Sequence, residues 1–161
     1  MQSKLLAIYL NDHLAGATAG AAVARRVANS NRNNDIYYPA LSRLAEEIRE
    51  DRASLLGIMS ALKIGTDPVK QMLTWGAEKA GRLKLNGHLL SYSPLSRLDE
   101  LEFLALGVTG KLALWRSLDL LVPREPRLRR EQLAELIARA ERQLREIEAC
   151  RRRAVVDAFP A

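Results

Sequence analysis

The chain has 161 residues, with 25 Lys plus Arg against 19 Asp plus Glu and a net charge of +6. With 48% hydrophobic residues it is too apolar for a disordered chain, while 5% aromatics, 9 Gly and 6 Pro are too few for a β-sandwich or barrel. A single cysteine, Cys150, permits neither an intrachain disulfide nor a cysteine-based zinc site, and no run approaches the ~18 apolar residues of a membrane span.

The apolar run from Leu5 to Leu10 is broken by Asn11, Asp12 and His13, too soon for a signal-peptide core. The expectation is a cytoplasmic protein with no membrane association. Leu6, Leu10, His13, Ala17, Gly20, Ala24 and Val27 recur at steps of three and four, which predicts a first helix. On it Gly16, Gly20 and Ala24 form a small-residue row. Glycine inside a helix costs up to ~1 kcal/mol relative to alanine. The row therefore predicts a close-packing face, within the chain or against a second copy.

The polar run 29–34 ends this helix, and Asp35 is the expected N-cap of the second, with Pro39 in its first turn. The second stripe is Tyr37, Leu41, Leu44, Ile48, Asp51, Leu55, Ile58 and Leu62. Gly65 is expected to close it in the left-handed conformation. Thr66 or Asp67, followed by Pro68, opens a predicted third helix with the stripe Val69, Met72, Leu73, Gly76, Ala80 and Leu83. Residues 87–96 read as a loop, and Ser96 with Asp99 resembles a capping box. The fourth stripe is Leu98, Leu101, Ala105, Val108, Leu112 and Trp115. Pro123 and Pro126 frame a linker. A final helix follows from about Leu128 to about Ala154, with Leu133, Ile137, Ala140, Leu144 and Ile147 on one face. Its Glu135–Arg139, Glu141–Arg145 and Glu148–Arg152 spacings suit i,i+4 pairing.

The pattern predicts an all-α chain: an antiparallel up-down four-helix bundle over residues 1–122. Residues 123–161 supply a linker and a fifth, C-terminal amphipathic helix, packed on the bundle or on a partner chain.

Several polar residues fall on these apolar stripes. His13 lies on the first, Asp51 on the second and Lys111 among the apolar positions of the fourth; Glu47 sits one turn before Asp51, and Glu78 and Glu102 border the third and fourth. Counting 1.5 Å per residue from the turns brings His13, Glu47, Asp51, Glu78 and Glu102 to one level of the bundle. Buried charges must be paired, hydrogen-bonded or metal-bound. The layer is thus expected to be an ion-pair network neutralised by Lys111, Lys79 or arginines, or a metal site, with some members facing solvent as a third outcome.

In helix length, order and mid-bundle carboxylates, residues 3–121 resemble a ferritin-like four-helix bundle. The segments Tyr9 to Gly16 and Gly81 to Gly87 also resemble parts of an uncharacterised bacterial bundle family. The ferritin-like resemblance implies a carboxylate centre holding iron or manganese. This chain departs from it in having no Glu-x-x-His: three positions after Glu47, Glu78 and Glu102 stand Glu50, Gly81 and Ala105.

The function expected is that of a non-enzymatic, cofactor-free bundle acting through protein–protein contacts, as a homodimer or other homo-oligomer. The alternative is a degenerate ferritin-like carboxylate metalloprotein or oxidoreductase. A second alternative is weak nucleic-acid binding through Arg129, Arg130 and Arg151 to Arg153. Residues 124–161 hold ten Arg, no Lys and seven acids. The interleaved glutamates favour an ion-paired helix, with an acidic protein surface as a possible partner, over a nucleic-acid interface.

Overall fold

A computed structural model describes residues 4–67 and 92–160. Among these residues the chain is all-helical, with four helices and no strand. They are α1 (Lys4–Ser30), α2 (Tyr38–Ala61), α3 (Pro94–Leu121) and α4 (Arg130–Ala158); a 3-10 turn, Val122–Arg124, joins the last two. No helix among the described residues is long and apolar enough to cross a membrane. The predicted third helix, with its stripe from Val69 to Leu83, lies outside the described residues, so α3 and α4 are the predicted fourth and fifth.

All eight positions of the second predicted stripe, Tyr37 to Leu62, are buried. On α1 the expected stripe is buried at Leu10, Ala24 and Val27, and the core face departs from it between them. Leu10, Leu14, Val23 and Val27 are buried, whereas His13, Ala17 and Gly20 are only half-buried. On α4 the buried seam is Leu133, Leu136, Ala140, Gln143 and Ile147. This alternation of three and four takes in a glutamine and leaves Ile137 and Leu144 at the margin. One apolar cluster draws residues from all four helices, with Trp115, Tyr37 and Leu101 among its fully buried members.

Three predicted helix ends are corrected. Asp35 does not cap α2; Asn34 Oδ1 accepts from the Ile36 and Tyr37 amides at 3.1 and 3.3 Å, and Tyr37 stands at the N-cap without a side-chain capping bond to the helix. The left-handed residue after α2 is Lys63, at φ 58°, not Gly65. The Lys63 N–H bonds the Ser60 carbonyl at 2.9 Å and the Ile64 N–H bonds that of Met59 at 2.8 Å. This is the paired closure of a Schellman motif, and buried Ile64 and Met59 supply its apolar contact. A lysine bears the conformational cost because the following isoleucine gains burial. The box before α3 is built by Ser93 and Ser96, which moves the helix start upstream to Pro94.

Cross-helix bonds fix the neighbours. Thr18 Oγ1 accepts from Arg52 Nε at 3.0 Å, and Asn11 Nδ2 donates to the Gly65 carbonyl at 3.0 Å, so the start of α1 lies beside the end of α2. Tyr9 meets Ser117 and Arg26 meets Glu100, placing the start of α1 beside the end of α3. Arg43–Glu146 and Arg139–Glu50 join α2 to α4, and Arg130–Asp119 and Arg97–Asp157 join α3 to α4.

Candidate functional site

The polar positions fall into two seams. The first lies where α2, α3 and α4 meet. Asp51 is 1% exposed and Gln143 is fully buried. Lys111 Nζ donates to Asp51 Oδ2, and to Gln143 Oε1 at 2.6 Å. The Gln143 amide donates in turn to Asp51 Oδ2 and to Glu47 Oε2, both at 3.1 Å. Arg139 Nη2 lies 2.6 Å from Asp51 Oδ1, an ion-pair contact without hydrogen-bond alignment, and Arg139 Nη1 reaches Glu50 at 3.1 Å. Arg142 pairs with Glu47 at 3.2 Å. Three carboxylates thus face three cations, with a glutamine bridging them. Burial pulls the Lys111 ammonium below the usual lysine value and outweighs the attraction of Asp51.

The expected layer is therefore assembled only in part. Glu47, Asp51 and Lys111 come together. Glu102 does not join them; its carboxylate is half-exposed and reaches Arg151 at 3.7 Å. Glu78 lies outside the described residues. His13 stands across a cavity, with its ring edge-on to Tyr9 at 4.6 Å between centroids. Burial lowers the His13 pKa against the opposing pull of Asp12.

The second seam is that cavity, about 440 Å3 between α1, α2 and α3. Gly16 and Gly20 of α1 face it from one side, and Gly107 and Gly110 of α3 from the other. A Cβ added at any of the four would meet nothing within 4 Å. Among the described residues nothing packs against the two glycines of the predicted close-packing row, whereas Ala24, 2% exposed, is enclosed. Trp115 lines the same cavity, fully buried, with its Nε1 unpartnered among the described residues. A broader cleft of about 520 Å3 between α1 and α2 is lined by small residues and by Arg49 and Arg52, whose charged ends are held by Glu46 and Thr18.

No protein-family model, curated protein or solved structure matches the chain. The site must therefore be read from its own chemistry.

A carboxylate metal centre needs ligand oxygens converging on one point. Among the described residues no three His, Cys, Asp or Glu side chains gather in that way. Asp51 also turns both of its oxygens toward cations and an amide, a donor set that does not fit iron or manganese.

Gln143 and Arg139 are the members that sequence reasoning missed. Gln143 was hidden because its neighbour Leu144 fits a helical stripe equally well. Arg139 was assigned to Glu135 on its own helix, and instead reaches across to α2.

A clasp at the α3 start was also missed. Arg97 stacks over the Tyr37 ring at 4.2 Å and donates to Asn31 Oδ1 at 2.6 Å. The Tyr37 hydroxyl donates to Asp157 at 2.7 Å. Burial and Asp157 push that phenol up to about 12.

Proposed function

We propose that the chain is a non-enzymatic, cytoplasmic, antiparallel helical bundle of ferritin-like connectivity, and that it works by protein contact with a second copy of itself. The directions of the described helices support the bundle. Residues 65–67 lie by Asn11 and Tyr92 by Asn31, at opposite ends of α1, so α2 and α3 run the same way, as the predicted up-down order with a further helix between them requires.

The observation that carries the self-association is the α1–α3 face. Six large apolar side chains stand out from these two helices: Leu5 and Ile8 on α1, and Leu95, Phe103, Leu106 and Leu120 on α3. Leu106 is 74% exposed and Phe103 48%. Phe103 and Leu106 line the same cavity as the glycine rows. A two-fold interface must be self-complementary. The Phe103–Leu106 ridge of one copy can enter the Gly16–Gly20 furrow of the other, and the reverse contact follows from the symmetry. The α4 arginines offer no rival surface of comparable strength, since Arg130, Arg139, Arg142, Arg151 and Arg152 are ion-paired within the chain.

Sedimentation velocity tests this reading. Wild-type protein at micromolar concentration should sediment as a dimer, and Leu106→Arg as a monomer. A wild-type chain that stays monomeric at that concentration discards the association.

A further inference from the structure

The cleft between α1 and α2 carries positive charge that the fold does not neutralise. Arg25 of α1 and Arg49 and Arg52 of α2 line it against a single carboxylate, Glu46. Glu46 accepts from Arg49 Nε and Nη2 at 3.0 and 2.5 Å. Even so, the Arg49 side chain is 64% exposed. Thr18 takes only the Nε–H of Arg52, at 3.0 Å, and both Nη groups of Arg52 lack an acceptor among the described residues. Arg25 is exposed, and its side chain makes no hydrogen bond or ion pair among the described residues. These donors stand open to an incoming anion.

The helix pairing sets their spacing. The Thr18–Arg52 bond fixes the register of the antiparallel pair. Counting from it toward the end of α1 and the start of α2 brings Arg25 level with Ala45, and both line the cleft. At 1.5 Å per residue the three arginine positions fall within about 10 Å along the axis. A guanidinium matches phosphate oxygens through two parallel N–H bonds. A row of three suits linked phosphates better than a lone one. Ala21, Ala22 and Ala45 form the floor and leave it unobstructed. Residues 68–91 do not supply the missing negative charge, since they hold Lys70, Lys79, Arg82 and Lys84 against Glu78.

Tyr38, Asn29 and Ser42 line the other end of the cleft. Tyr38 is 38% exposed, and neither its hydroxyl nor the Asn29 amide has a partner among the described residues. An aromatic face beside an amide that both donates and accepts suits a flat, polar ring. The volume of about 520 Å3 lies within the range of small-molecule sites.

We propose that the α1–α2 cleft binds an organic polyphosphate of the nucleoside triphosphate class, with its phosphates across Arg25, Arg49 and Arg52 and its ring at Tyr38 and Asn29. The site lies away from the α1–α3 face, so it goes beyond self-association and does not rest on it.

Calorimetric titration of the full chain with ATP tests the site, in about 0.1 M salt, where charges more than about 10 Å apart are screened. ATP should saturate at one site per chain. Tripolyphosphate, which carries the phosphates alone, should bind about tenfold more weakly, and adenosine should not saturate. Arg25→Gln alters a side chain that holds nothing in the fold; it should weaken ATP about tenfold and leave the melting temperature unchanged. Tyr38→Leu should weaken ATP about fivefold and leave tripolyphosphate unchanged. Arg129→Gln, at an exposed arginine before α4, is the control and should change nothing. Non-saturating ATP, equal affinities for ATP and tripolyphosphate, or a loss in Arg129→Gln as large as that in Arg25→Gln would each overturn the proposal, the last by revealing only a diffuse attraction to a basic chain.

Discussion

The two sides of Lys111 differ in kind. Toward α2 and α4 its ammonium enters a network in which each carboxylate has a cation and a buried glutamine closes the gaps. Toward α1 it borders open space, lined by four glycines that no described residue packs against. One seam is closed by its own side chains; the other stays open among the described residues. The contrast teaches that burial of charge and provision of a site are separate properties, even when one residue belongs to both.

The largest expected effect lies in the completed seam. Asp51→Ala leaves Lys111 buried with only Gln143 to accept from it. Breaking a buried ion pair in this way costs about 3–5 kcal/mol. Urea unfolding should show a much lower midpoint at unchanged slope. The combined variant Asp51→Leu, Lys111→Met, Gln143→Leu removes the charges and the bridge together, while Glu50 still holds Arg139. It should recover most of the loss, because apolar replacement of a buried pair is often neutral or better. If the combined variant were no more stable than Asp51→Ala, pairing would not be what holds this seam.

The open seam should respond in the opposite sense. Gly20→Ala adds a methyl group where nothing lies within 4 Å and replaces a poor helix former. It should raise stability by up to about 1 kcal/mol. A loss on thermal unfolding would mean that the glycine row is in close contact with another surface, and would favour the dimer as the occupant.

The difference between the seams also explains what could be read in advance. The α2 stripe from Tyr37 to Leu62 was legible at every position, because that helix is enclosed on a single face and its apolar spacing is uninterrupted. Asp51 stood out for the same reason: a carboxylate within such a stripe needs a partner. Its partners were less legible, since Arg139 is one of ten similar arginines and only the packing of α4 selects it. The α1 stripe misled because small residues score as apolar whether they fill a core or border a void. Gly16, Gly20, Gly107 and Gly110 have no side chain to bury, so periodicity cannot tell close contact from empty space. Ser96 illustrates a third limit, because Ser93 three residues upstream satisfies the same capping pattern and Pro94 decides between them.

The smallest effect concerns His13 at the edge of the open seam. Its burial favours the neutral ring, and Asp12 only partly offsets this. The unfolded chain takes up its proton near the ordinary value of 6.5, and the folded chain does so at a lower pH. Between those two values the unfolded state binds more protons, so stability falls as the solution is acidified through that window and is fully present above it. His13→Gln removes the titration. Melting temperatures measured from pH 7.5 down to pH 5 should fall more steeply for the wild type than for the variant, and parallel curves would sink the argument. Gly107→Leu sharpens the test, since filling the cavity deepens the desolvation of the ring and should widen the gap between the curves. In a seam already closed, the same substitution would leave that gap unchanged.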